Sequence, residues 1–165
     1  MLSGILKNED CASCRFCCSF RRTSLWETPI FTEENITAIE ADNRLNSEVL
    51  NIVEKDGFKF ASYDLGNDYK TQDPFEEVPC PYLGENGCTL SSEEKPWDCK
   101  IWPLRVMKKD QEPVIALTPT CPTINSLSIE TVRQYVNDDL RNDILEYAKD
   151  HPYLIKKYRP DYTVI

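Results

Sequence analysis

Apolar and polar positions along this chain follow two periods, one helical and one of strand type. Pro29-Ile30-Phe31-Thr32-Glu33-Glu34-Asn35-Ile36 has the marks of a helix start. Thr32 is suited to the N-cap, two carboxylates fall in the first turn, and Phe31 is spaced to pack on Ile36 as a hydrophobic staple. The pattern predicts a helix near residues 33–42. Val49, Leu50 and Val53 share one helical face between Ser47 and Lys55, and Asp56-Gly57 reads as the stop, so a second helix is predicted there. Phe58-Lys59-Phe60-Ala61-Ser62-Tyr63 alternates as a half-buried strand does, and Gly66 to Pro79 is polar and turn-rich. Pro96 and Pro103 bracket a single predicted helical turn that contains Cys99. Arg105 to Lys109 and Pro113 to Thr118 read as a hairpin. The longest stripe runs from a Ser128 N-cap to about Lys149, with Val132, Val136, Leu140, Ile144 and Tyr147 at helical spacing, and His151-Pro152 stops it. These elements predict the α+β class: a small irregular single domain over 1–165, mostly helices around a cysteine-rich metal-binding loop core with a minor β-hairpin. Residues 11–121 form the motif region and 128–158 a C-terminal helical region.

Charge narrows the choice of partners. Twenty-eight acidic residues against nineteen basic ones give a net charge of −9, which disfavours nucleic acid and anionic membranes as partners. The first ten residues have neither the cationic start nor the apolar run of a signal peptide, and no segment has the length and apolarity to span a bilayer. A cytoplasmic protein is expected. Its single histidine, His151, lies at a helix end without evident partners, so histidine-based zinc hydrolysis and Cys–His nucleophilic catalysis are set aside. Catalytic residues stay unassigned, and enzymatic activity stays open.

Cysteine supplies the chemistry. Eight occur, four of them in Cys11-Ala-Ser-Cys14-Arg-Phe-Cys17-Cys18 and the others at Cys80, Cys88, Cys99 and Cys121. In a reducing compartment thiols persist, so these eight residues are candidate metal ligands and not a disulfide framework. A thiolate is a soft ligand for zinc, copper(I) or iron–sulfur centres, and Cys-x-x-Cys lets one turn of backbone present two sulfurs to an ion. Eight thiolates would close two tetrahedral zinc sites. Equally, Cys11-x2-Cys14-x2-Cys17 matches the start of an iron–sulfur run whose fourth ligand is remote. The vicinal Cys17-Cys18 pair is expected to point its side chains apart, so that one thiol serves a second site or remains reactive. Arg15, Arg21 and Arg22, with Lys95, Lys100 and Arg105, are placed to offset thiolate charge, and Trp97, Trp102 and Tyr82 to exclude water.

The ordered set Cys11-x2-Cys14-x2-Cys17-Cys18, Cys80-Pro-Tyr-Leu, Gly87-Cys88-Thr-Leu, Lys95-Pro96-x2-Cys99-Lys100-x2-Pro103 and Cys121 resembles the YkgJ-like cysteine-cluster family. That family is recognised by its CxxCxxCC signature and regarded as zinc- or iron-chelating. Lys95 and Lys100 stand where arginine is usual, and Cys121 is followed by Pro-Thr-Ile where glycine-rich sequence is often found. The resemblance implies chelation of zinc or iron, an iron–sulfur cluster included, and little else; a protein partner stays open. Longer relatives, the flagellin lysine N-methylases, suggest the alternative of an iron–sulfur-dependent redox, methyl-transfer or maturation enzyme.

Overall fold

The computed structural model describes Ile5 and residues 13–165, so the expectation for Cys11 lies outside the described residues. The chain divides into two compact units, one running to Trp97 from the cysteine knuckle and the other comprising Asp98–Ile165.

In the first unit, strand β1 (Ser19–Arg21) precedes β2 (Phe31–Thr32) and helix α1 (Glu33–Ala41). Phe31 and Ile36 are both fully buried, as the staple predicted. Thr32 N–H donates to Asn35 Oδ1 at 3.1 Å, closing the helix start from within the first turn. Strands β3 (Leu50–Lys55) and β4 (Phe58–Tyr63) follow, then β5 (Glu77–Pro79), β6 (Leu83–Gly84) and β7 (Gly87–Cys88). They form a β2-β4-β3 sheet and the two-stranded pairs β1-β5 and β6-β7, all antiparallel. Phe20, Phe31, Ile36, Ile39, Tyr63 and Tyr82 lie at the centre of a largely aromatic and aliphatic core.

The second helix predicted over Ser47 to Lys55 is not there. Ser47–Val49 makes one 3₁₀ turn, after which Leu50–Lys55 is a strand paired residue for residue with β4. Asp56 and Gly57 both have positive φ, at 53° and 82°, the type I′ geometry that joins two strands through a two-residue turn. Asp-Gly here is a hairpin signal and not a helix stop.

The second unit begins within helix α2 (Trp97–Ile101), which falls at the division, and continues into β8 (Leu104–Lys109) and β9 (Glu112–Leu117). After α3 (Pro122–Asn125) come α4 (Ile129–Tyr135), a π turn over Val136–Leu140 and α5 (Arg141–Asp150). Strands β10 (Lys156–Lys157) and β11 (Thr163–Val164) complete a sheet of order β10-β8-β9-β11, with α5 packed against the central hairpin. Val132, Val136, Leu140, Ile144 and Ala148 are all buried at intervals of four residues. On an uninterrupted α-helix that spacing would drift by about 160° over sixteen residues, since each residue turns about 100°. The π turn absorbs an extra residue and holds the stripe on one face.

The hairpin predicted near 105–118 is present as β8 and β9. Its turn residues Asp110 and Gln111 have φ of 49° and 71°, a region costly for a residue with a Cβ. Gln111→Gly is expected to stabilise the protein by about 0.5–1 kcal/mol, read from its denaturation midpoint, because glycine enters this region freely.

The expected fold class is overturned. Among the described residues, eleven strands in four sheets, with short helices, replace a mostly helical fold with a minor hairpin. Each unit is centred on aliphatic and aromatic side chains, and no cysteine-rich metal core organises the described residues. Among them, no helix is long and apolar enough to cross a membrane.

Candidate metal centre

The knuckle is shaped by one left-handed residue. Arg15, at φ 53°, reverses the chain between Cys14 and the 3₁₀ turn Phe16–Cys18, and its carbonyl accepts the Cys18 N–H at 3.0 Å. A 3₁₀ turn rotates successive side chains by about 120°, not by the half-turn of a strand. The sulfurs of Cys17 and Cys18 consequently lie 4.0 Å apart. The expectation that the pair points apart is corrected by that distance.

Two contacts bring the remote cysteine loop to the knuckle. Ser19 pairs with Pro79 across β1 and β5, and one step beyond, Cys80 N–H donates to Cys18 O at 2.7 Å. The Arg15 guanidinium donates to the Glu85 carbonyl at the tip of the β6-β7 turn. This turn needs its glycines: Gly87 has φ 106°, and a Cβ on Gly84 would lie 2.9 Å from the Thr89 methyl carbon. Cys88 stands opposite Leu83 in that pair, on an exposed edge.

Cys80 has the most elaborated surroundings. The Tyr63 hydroxyl lies 3.1 Å from its sulfur. Burial pushes the Cys80 thiol up to about 11; hydrogen bonding by Tyr63 and by the Tyr82 main chain opposes the shift, and the charges of Cys18 and Cys88 add to it. Cys18 goes the other way, down to about 7, chiefly through its contact with Cys17 and against the effect of burial, with Lys95 and Arg15 adding positive charge. The main chain at Lys95 is fixed by α1, in which Asn35 Nδ2 donates to Glu93 O at 2.7 Å and Lys95 O at 3.4 Å.

Three of the other expected cations have partners elsewhere. Arg21 pairs with Glu77, and Arg22 lies over the Tyr69 ring and donates to Thr71 O at 2.5 Å. Arg105 forms a 2.9 Å ion pair with Asp98 and stacks on Trp102. His151 stacks on Tyr147 with ring centroids 4.1 Å apart.

Of the expected ligands, then, Cys17 and Cys18 lie side by side, Cys80 meets Cys18 through the main chain, Cys88 bears on Cys80 through its charge, and Cys14 is exposed beside the turn. Cys99 and Cys121 belong to the other unit, the first exposed on α2 and the second buried at the start of α3. No disulfide joins the seven described cysteines, and no three His, Cys, Asp or Glu side chains among the described residues already converge as a finished metal site.

Compared with family models, curated proteins and solved structures, the chain matches none. Its chemistry is therefore read from its own residues. Tyr63 is the participant that sequence reasoning missed: it closes the alternating segment 58–63, where it reads as an ordinary half-buried strand residue.

Proposed function

We propose that this chain is a zinc- or iron-chelating cysteine-cluster protein, in keeping with its resemblance to the YkgJ-like family, and that its site holds a single tetrahedral ion, zinc, on the Cys17-Cys18 edge. The observation that carries this reading is the 4.0 Å separation of the two sulfurs. Two thiolates on one tetrahedral zinc at about 2.3 Å each are separated by about 3.8 Å. A cubane iron–sulfur cluster gives each cysteine its own iron and spaces the sulfurs more widely. Cys80 is the third ligand, and Cys88, Cys14 or Cys11 completes the set. Bound metal would draw these thiolates together and tie the knuckle to the 80–88 loop; the chain's own part is to orient Cys80 through Tyr63 and Tyr82 and to place Arg15 and Lys95 beside the thiolate charge.

A closed site of four thiolates leaves no position for water, so its role is structural or one of metal handling and partner recruitment. The reading suits a reducing compartment such as the cytoplasm, and the net charge of −9 suits a protein partner better than nucleic acid. The test is elemental analysis with a visible spectrum on protein purified without oxygen and without added metal. At least one zinc per chain and no colour are expected. Metal-free protein refutes chelation, while iron with sulfide and a broad visible absorption replaces zinc with the iron–sulfur alternative and turns attention to redox or methyl transfer.

A further inference from the structure

Cys80 combines partial burial with the Tyr63 hydroxyl placed 3.1 Å from its sulfur. A protonated thiol is a weak acceptor, so a phenol aimed at this sulfur suits a thiolate better. Once Cys80 is bound to a metal it has no proton, and the phenol can only donate. The phenol is also held in place. Tyr63 is 9% exposed, and its ring lies 5.2 Å from Phe31 edge-on, 5.7 Å from Phe20 and 6.0 Å from Tyr82, so its hydroxyl is delivered from a packed core and not from a mobile surface chain.

From this, and resting on the metal-binding reading above, we infer that Tyr63 is a positioning residue of the metal centre: its hydroxyl fixes the direction of the Cys80 sulfur lone pairs and withdraws electron density from the metal–sulfur bond. Hydrogen bonds to ligating atoms commonly carry a ten- to hundredfold share of metal affinity, about tenfold being expected for one neutral donor. The ring and the hydroxyl make separable contributions, because phenylalanine keeps every ring contact and loses only the donor.

The experiment uses cobalt(II) as a spectroscopic probe on the full-length, reduced, metal-free chain, comparing wild type, Tyr63→Phe and Tyr69→Phe. Tyr69 is the control: its buried hydroxyl donates to Phe20 O at 3.1 Å in the same core and touches no sulfur. Without its donor, the Cys80 thiolate gives up an electron to cobalt more readily. In Tyr63→Phe the sulfur-to-cobalt charge-transfer absorption is therefore expected to move to lower energy, with cobalt and zinc held about tenfold more weakly. Tyr69→Phe is expected to keep the wild-type band and affinity, whatever its thermal stability. A Tyr63→Phe band and affinity equal to wild type overturn the inference and leave the metal site standing. Equal shifts in both variants reduce Tyr63 to general packing and overturn it as well. If wild type forms no thiolate–cobalt absorption, the metal-binding reading and this inference fall together.

Discussion

Cys80→Ser protein is expected to purify without metal at the knuckle and to lose the stability that metal confers. A ligand that binds only the folded chain, at a free concentration a thousand times its Kd, adds about 4 kcal/mol to stability. Removing one thiolate from a site that needs several abolishes most of that gain, since the remaining sulfurs keep their proton affinity and lose the shared ion. Cys80 is the informative position. Its main chain is already anchored, with N–H to Cys18 O at 2.7 Å and its carbonyl accepting from Leu83 N–H at 2.9 Å, so serine leaves the local backbone in place. Metal-free wild type and Cys80→Ser should then unfold within about 1 kcal/mol of each other, while metal raises the stability of wild type alone. Chemical denaturation with and without zinc, alongside metal content, checks this. A Cys80→Ser chain that retains stoichiometric metal removes Cys80 from the ligand set.

The second large effect belongs to the other unit and involves no metal. Asp98 and Arg105 are 5% and 2% exposed, their Oδ1 and Nη1 atoms are 2.9 Å apart, and the Lys156 ammonium approaches the second carboxylate oxygen at 3.9 Å. One carboxylate thus serves two cations within the packed unit. Breaking a buried pair from one side leaves the other charge desolvated, at a cost of about 3–5 kcal/mol. Asp98→Asn keeps the volume and removes the charge, so the loss is expected in that range in metal-free protein and should not depend on zinc. A loss below about 1 kcal/mol would mean that water or rearrangement relieves Arg105 and that the pair is not a buried one in solution.

Much of the local structure could be read from the sequence because it depends on neighbours along the chain. The Phe31–Ile36 staple, the alternation over 58–63, the proline-bracketed turn holding Cys99 and the Ser128 helix start are all set within a few residues. The segment 47–55 was ambiguous in itself, since Val49, Leu50 and Val53 satisfy a helical face as well as a strand. The decision came from Asp56-Gly57, whose paired positive φ values commit Leu50–Lys55 to Phe58–Tyr63. Short strands such as Glu77–Pro79 and Lys156–Lys157 carry no periodicity to detect and exist only through their partners, and for this reason the fold is richer in sheet than its sequence pattern suggests.

The candidate site was proposed from composition, and its geometry was not legible there. Eight cysteines in this order suggest thiolate ligation, yet the relation between two adjacent cysteines depends on backbone rotation. Extended backbone would separate the Cys17 and Cys18 sulfurs; the left-handed Arg15 and the 3₁₀ turn after it bring them to 4.0 Å. Likewise, nothing in the sequence joins Tyr63 to Cys80 or brings the charge of Lys95 to bear on Cys18.

X-ray absorption at the zinc edge of the loaded protein tests the single-ion site most directly. A shell of four sulfurs at about 2.3 Å, with no neighbouring metal, is the expected result. An oxygen and nitrogen shell, or a second metal beside the first, would contradict a tetrahedral ion held on the Cys17-Cys18 edge.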